Sequence, residues 1–252
     1  MKNILILQKK EGQTPLESLE NFRSKHKEYI DIKMTYAGRL DPMASGLLVV
    51  LAGEETKNKE KYLGLNKEYE FEVLFGFTTD TYDILGKVVS SQETMLSKID
   101  IEKLIKKNLK QFTGKFEQKY PMYSSKTVKG KKLFEYARDG EDVDAPSREV
   151  YVSVLKFLKL RKISSANLFK NIEKRILKVK GDFRQKEILK VWNNKLSKAS
   201  SQYFFVGSFR IKCGTGTYVR SIANNLGEKI NIPTLAFSIK RTKIGKWSKI
   251  SS

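Results

Sequence analysis

The sequence predicts an α+β domain, a mixed and largely antiparallel central sheet with flanking helices, on three observations. Tyr69, Phe71, Val73 and Phe75 alternate with Glu70, Glu72 and Leu74, and Phe205, Phe209 and Ile211 alternate with Ser208, Arg210 and Lys212. That period of two is the mark of half-buried strands. Ile101, Leu104, Ile105, Leu109 and Phe112 recur at helical spacing, as do Val219, Ile222, Ala223, Leu226 and Ile230. The segments do not follow the strict βαβ alternation of a doubly wound sheet, which leaves α+β as the class.

In chain order, Asn3 to Leu7 is an apolar run of strand length closed by a Lys-Lys-Glu-Gly turn. Leu16, Leu19 and Phe22 give a weak helical stripe. Gly46 to Gly53 is apolar and partly β-branched, and periodicity alone leaves both a buried strand and a helix edge open. The Tyr69–Phe75 strand follows, then the Ile101–Phe112 helix, whose polar face is mostly lysine and which Gly114 stops. Tyr151 to Leu160 reads as a strand from its Val, Leu and Phe content, and the Phe205 strand runs into Gly214-Thr215-Gly216 ahead of the last helix.

Between those two strands the composition changes. Residues 155–200 hold fourteen Lys or Arg against three Asp or Glu, a net of +11 in a chain whose total is +21. Leu168, Phe169, Ile172, Ile176 and Val179 form one apolar face, Gly181 interrupts, and Ile188, Leu189, Trp192 and Leu196 form another. This predicts a basic helical hairpin inserted at about residues 161–200 of a single catalytic domain spanning 1–252. A solvated lysine-rich surface and a phosphate-contacting arm are its two readings.

Composition also excludes. One cysteine, Cys213, permits no internal disulfide and no cysteine cluster for zinc, and the lone histidine, His26, builds no metal site by itself. Acid–base chemistry therefore falls to a carboxylate or a tyrosine. The opening MKNILILQKKEG has no apolar core followed by a small-residue cleavage site, and the run Leu47 to Ala52 is far short of the roughly 20 residues that span a bilayer. A cytoplasmic protein with no membrane partner is expected. A net charge of +21 attracts polyanions, nucleic acid first among them.

The segment with chemical content is Tyr36-Ala37-Gly38-Arg39-Leu40-Asp41-Pro42-Met43-Ala44-Ser45-Gly46-Leu47-Leu48. An Asp before Pro is biased towards extended backbone, and taken alone such a pair is usually a plain turn. Here it resembles the catalytic motif of the TruB-type tRNA pseudouridine synthases, G-x-L-D-P-x-A-x-G-L-L. Gly53-Glu54-Glu55-Thr56-Lys57 fits the G-x-x-T-K that closes it. Lys67-Glu68-Tyr69 with Gly76-Phe77-Thr78-Thr79-Asp80-Thr81-Tyr82-Asp83 is similar to that family's second block, and Gln118 to Lys126 with Gly130 and Ala137-Arg138-Asp139-Gly140 to its third. Cys213 to Ser221 resembles C-S-x-G-T-Y-I-R-S, and Ile239 to Gly245 resembles L-R-R-T-x-V-G. The blocks keep the family's order over nearly the whole chain. Two positions depart: Lys9 to Pro15 lacks the first proline of K-P-x-G-x-T-S, and Tyr36 stands where a histidine is usual. Because the chain ends soon after Gly245, no separate C-terminal PUA-like domain is expected.

The resemblance implies an isomerase that converts a uridine in the tRNA T-loop to pseudouridine and needs no cofactor and no metal. It makes Asp41 the catalytic carboxylate at the ribose, with a covalent adduct and proton removal both open. It pairs Arg220 with Asp41 and makes Tyr69 the base-stacking tyrosine, able to take part in proton removal from C5. Tyr36, Arg39, Lys67, Ile239, Lys240 and Arg241 are implied at the RNA, a T-loop and T-stem. A monomer is expected. Asp80 and Asp83 are read as turn residues. The alternatives are the same chemistry on another RNA, a non-catalytic tRNA-binding or folding protein, and a general polyanion-binding domain.

Overall fold

The computed structural model describes residues 2–92, 96–198 and 203–248. The chain opens with β1 (Ile4–Lys9), α1 (Pro15–Arg23), β2 (Met34–Ala37) and β3 (Ala44–Ala52). A short α2 (Lys59–Leu63) leads into β4 (Lys67–Phe75), then β5 (Phe77–Thr79), β6 (Val88–Ser91) and α3 (Lys98–Asn108). Next come β7 (Gly114–Lys119), β8 (Thr127–Val128), β9 (Lys131–Lys132) and α4 (Leu133–Asp139). The remainder holds β10 (Ser147–Ser164), α5 (Ser165–Ile176), α6 (Gln185–Lys198), β11 (Tyr203–Cys213), α7 (Val219–Ile230), β12 (Thr234–Ile244) and β13 (Trp247–Ser248).

The central sheet runs β1-β3-β12-β4-β11-β10-β7, with β2 also on β3 and β13 on β12. Each pairing is antiparallel except β12 with β3, where Ile239, Lys240 and Arg241 lie beside Ala44, Ser45 and Gly46 in parallel register. The predicted class is therefore observed, and the segment left open at 46–53 is strand β3.

Alternation assigns the faces. Tyr69, Phe71, Val73 and Phe75 of β4 and Phe205, Phe209 and Ile211 of β11 pack in one core with Ile101 and Ile105 of α3 and Ile222, Ala223, Leu226 and Ile230 of α7. Leu74, Phe204, Val206, Leu235 and Phe237 point the other way, into a second core with α5 and α6. Where that second face is not covered, Glu68, Glu70 and Glu72 of β4 meet Lys212, Arg210 and Arg161 across strands. Opposite charges facing one another, from the adjacent β11 and from β10 beyond it, avoid repulsion on that face.

Local signals set the helix starts. Thr14 accepts from the Glu17 N–H while Glu17 accepts from the Thr14 N–H, with Pro15 in the first turn of α1. Ser97 and Ser164 cap α3 and α5 by accepting from the Asp100 and Asn167 N–H groups. Leu16 departs from the expected stripe: it is 56% exposed, and only Leu19 of that set is buried in the core.

The basic hairpin is shorter than expected and more deeply embedded. Arg161 to Ser164 still belong to β10, paired with Val206 to Tyr203, so the helices begin at Ser165; the expected end at residues 199–200 lies outside the described residues. Leu168, Ile172 and Ile176 of α5 and Ile188, Trp192 and Leu196 of α6 are buried, and Trp192 packs 5.0 Å from the Phe77 ring. The hairpin is thus half of the second core and cannot be removed as a detachable arm.

Candidate active site

Asp41 follows Gly38, whose φ of +81° turns the chain out of β2 in a conformation that a residue with a Cβ seldom adopts. Asp41 O accepts from Ala44 N at 3.0 Å, closing a turn with Pro42 at its second position. Two buried cations clamp this turn from below. Arg241, 1% exposed, donates to the carbonyls of Leu47 (2.7 Å), Gly38 (3.1 Å) and Arg39 (3.5 Å). Lys9, also 1% exposed, donates its ammonium to Ala44 O (2.5 Å), Lys10 O (3.1 Å) and Pro42 O (3.4 Å). Burial lowers the Lys9 pKa to about 8, with Asp41 the largest opposing influence.

The Asp41 carboxylate meets Arg220, the second residue of α7, in a two-pronged contact: Nε to Oδ2 at 2.7 Å and Nη2 to Oδ1 at 3.1 Å. A fork-to-carboxylate pair fixes orientation as well as distance. The rest of the guanidinium is also engaged, with Nη1 on Thr81 O (2.6 Å) and Nη2 on Tyr123 O (3.2 Å). Asp83 lies 3.7 Å from Arg220 Nε. Its own carboxylate accepts from Thr81 Oγ1 (2.8 Å) and Leu85 N (2.9 Å). Burial raises the Asp83 pKa to about 6, and Arg220 is the main influence against it. For Arg220, burial pulls downwards, but Asp41 and then Asp83 outweigh it and the net shift is up. Gln118 holds the entry to α7 by accepting from Tyr218 N and donating to Tyr218 O.

These groups open into a cleft of about 620 Å³, lined by residues from β4, β12, the turn before β3 and the segments around Tyr123 and Arg184. Tyr69 and Ile239 are both 8% exposed and both line it. Burial raises the Tyr69 pKa, while the Arg241 guanidinium works against that shift. Lys67, 6% exposed, donates to Leu63 O at 2.7 Å and is lowered to about 8 by burial and then by Arg241. Arg39 stands at the mouth, 6.0 Å from the Tyr36 ring centre and 2.6 Å from Ser125 Oγ.

Most of the sequence-predicted site residues thus come together: Asp41, Tyr69, Arg220, Tyr36, Arg39, Lys67, Ile239 and Arg241 share one cleft. Arg241 and Lys67 reach carbonyls inside the protein, and Lys240 is exposed and is not among the cleft-lining residues. Lys57 is exposed in a short 3-10 helix, paired with Glu54. Asp80 is more than a turn residue, since it pairs with Arg184 from the hairpin. Sequence reasoning did not single out Lys9, Asp83 or Arg184 for the site. The first two were signalled only by position in a motif block, and Arg184 by nothing local.

Residues 23–181 match the family described as TruB family pseudouridylate synthase (N terminal domain). The tRNA pseudouridine synthase B of Ligilactobacillus salivarius is 32% identical over 248 residues, covering 97% of this chain and 68% of that protein. The protein of the same name from Caldanaerobacter subterraneus subsp. tengcongensis is 34% identical over 220 residues, covering 87% and 62%. The chain thus spans about two thirds of the length of these relatives. Among solved structures, a Cbf5-Nop10-Gar1 complex aligns with a TM-score of 0.56 at 18% identity, over 98% of this chain and 50% of that one. An H/ACA RNP bound to a substrate RNA containing 2′-deoxyuridine aligns at 0.55 and 16%. At such identities the likeness is one of fold.

Proposed function

The chain belongs to the TruB family of pseudouridylate synthases, and from that premise we propose that it isomerises a uridine in the T-loop of tRNA to pseudouridine. The observation that carries the reading is the Asp41–Arg220 pair at a cleft wall shared with Tyr69 and Ile239. A cleft of about 620 Å³ is within the range of roughly 300–1,000 Å³ for small-ligand sites, which suits one everted nucleotide.

In the reaction the N1–C1′ bond breaks, the base turns, and a C5–C1′ bond forms. One proton leaves C5 and one reaches N1, so nothing is oxidised or reduced. Asp41 acts at the ribose, oriented by Arg220. Tyr69 stacks on the base and assists proton removal from C5, with Ile239 as the apolar contact. Arg241 and Lys9 act on the turn that carries Asp41 rather than on RNA. Eversion costs a few kcal/mol of unstacking, which contact with Tyr69 and Ile239 offsets in part. Arg39, Tyr36 and the lysines of the hairpin are the proposed contacts to the T-loop and T-stem, by shape, stacking and charge. This reading makes the protein a cytoplasmic, monomeric tRNA-modifying enzyme.

Tyr36, at the mouth where the family usually has histidine, supports a second reading: the same isomerisation on another RNA, such as a ribosomal uridine. Mapping pseudouridine in cellular tRNA and rRNA with and without the protein separates the two. A T-loop site lost on deletion supports the first, a ribosomal site lost in its place supports the second, and an unchanged map contradicts both.

A further inference from the structure

The turn between α5 and α6 contributes two residues to the cleft, Phe183 and Arg184. Arg184 has a φ of +63°, in the left-handed region that a long side chain enters at a cost. Its contacts explain why that conformation is held. The guanidinium grips Asp80, Nη1 to Oδ2 at 2.7 Å and Nη2 to Oδ1 at 3.3 Å, and stands 4.5 Å from the centre of the Tyr123 ring. Burial raises the Tyr123 pKa, and the same Asp80 carboxylate, lying close to the phenol, raises it further. Tyr123 in turn presents its carbonyl to Arg220 Nη2 at 3.2 Å, and Arg220 holds Asp41. Three contacts therefore run from the hairpin to the proposed catalytic carboxylate.

The turn is fastened on its other sides too. Arg138 donates to Asp182 O at 3.2 Å, and Gln185 donates to the carbonyls of Val179 and Gly181. Arg175 at the end of α5 ties the helix to Glu11 in the loop after β1, and to Phe237 O. A turn whose only duty is to connect two surface helices needs none of this. Phe183, half-buried, presents aromatic surface to the same cleft as Tyr69.

We propose that the inserted hairpin is part of the catalytic apparatus: Arg184 is a positioning residue that sets the Arg220–Asp41 pair through Tyr123, and Phe183 is a wall against which a nucleotide in the cleft packs. The inference rests on the roles assigned above to Asp41 and Arg220. Arg184 itself touches no reacting atom, so its loss acts on kcat rather than on RNA affinity. A planar guanidinium can pair with Asp80 and stack on Tyr123 together; an ammonium keeps the first contact and loses the second.

The test measures kcat, KM, thermal midpoint and RNA dissociation constant on an unmodified tRNA transcript. Arg184→Ala is expected to lower kcat about tenfold with KM within about threefold, a coupling of ordinary size for residues in contact. Arg184→Lys should recover only part of that loss. Arg184→Ala made on top of Tyr123→Leu should cost no further kcat, because the two act in series. A kcat unchanged in Arg184→Ala, whatever the midpoint does, overturns the positioning role, as does full additivity with Tyr123→Leu. Should Arg184→Ala fail to fold, Arg184→Lys decides: a kcat lowered about threefold or more supports the role, and wild-type kcat overturns it. Phe183→Ala should weaken transcript binding about tenfold, as expected for loss of one base–aromatic contact, with Phe183→Tyr close to wild type; unchanged binding overturns the wall. A wild type that binds RNA but isomerises none would sink the function proposed above, and the binding measurement would still read Phe183.

Discussion

Arg241 and Lys9 put two positive charges under the turn that carries Asp41, and each is committed to backbone carbonyls. Replacing Arg241 by Met would remove its bonds to the carbonyls of Leu47, Gly38 and Arg39, of which only the Leu47 contact is fully buried. The expected loss is about 1–3 kcal/mol, the usual cost of one unsatisfied buried group. Urea unfolding of Arg241→Met against wild type measures it directly. Asp83 gives a pH signature at the same scale. Its pKa rises from 3.8 to about 6 on folding, so between those values the native state holds more proton than the unfolded chain. The Asp83 contribution to stability is therefore fully present below pH 3.8 and is lost as pH rises through about 6. Asp83→Asn should remove that falling component, seen in unfolding curves taken from pH 4 to 7; an unaltered pH dependence would refute it. Lys9 and Lys67, lowered from 10.5 to about 8, act in another window, their contribution present above pH 10.5 and lost as pH falls through about 8. At this scale the sequence was readable where a motif names the residue type and position, as for Asp41 and Arg220. It was not readable where direction matters: the motif blocks name Arg241 and Lys67, and only the structure shows that each is buried and donates to carbonyls within the protein.

Elements were legible in proportion to their patterning. The alternation of β4 and β11 and the helical spacing of α3 and α7 each predict which side chains share a core, and the two cores follow that division. The hairpin was legible as two amphipathic helices, but its apolar faces have no partner in the sequence, so what they cover could not be read. They cover the second face of the sheet. Trp192→Ala should accordingly cost roughly 3–5 kcal/mol, as for other large-to-small changes in a closed core, measured as a shift of the unfolding midpoint. Deleting residues 165–198 should expose the second core and yield an unfolded or aggregated chain; a folded deletion variant with weaker RNA binding would contradict this packing. The crossing of β12 and β3 is equally exacting. Gly46 has a φ of +111°, and a Cβ there would come within 2.2 Å of Arg241 O, so Gly46→Ala must displace the strand that positions Arg241.

For the whole molecule, the positive charge of the 49 Lys and Arg, which leaves a net +21, is distributed in two ways. Part is neutralised within the fold, as in the cross-strand pairs of Glu68, Glu70 and Glu72 and the Arg175–Glu11 contact. The rest, including Lys170, Lys174, Lys180, Lys186 and Lys190 of the hairpin, is exposed. If RNA lies across that surface, log K should fall linearly with log salt, by about 0.7–0.9 per phosphate neutralised. Charge reversal at Lys174 and Lys180 should then reduce the slope by about 1–2 under the same rule. An unchanged slope would remove the hairpin from the RNA-binding surface. The long-range juxtaposition of the β2–β3 turn, the start of α7 and the α5–α6 turn is what no local pattern could supply, and it is where the proposed chemistry resides.

That chemistry is tested most directly by release of tritium from C5-labelled uridine in an unmodified tRNA transcript, with wild type and Asp41→Asn compared at equal folded concentration. The expected result is release by the wild type alone, mapped to the T-loop, with the variant still binding the RNA. Release by Asp41→Asn at the wild-type rate would contradict the role of the Asp41–Arg220 pair, and no release by a wild type that binds tightly would contradict the proposed reaction on tRNA.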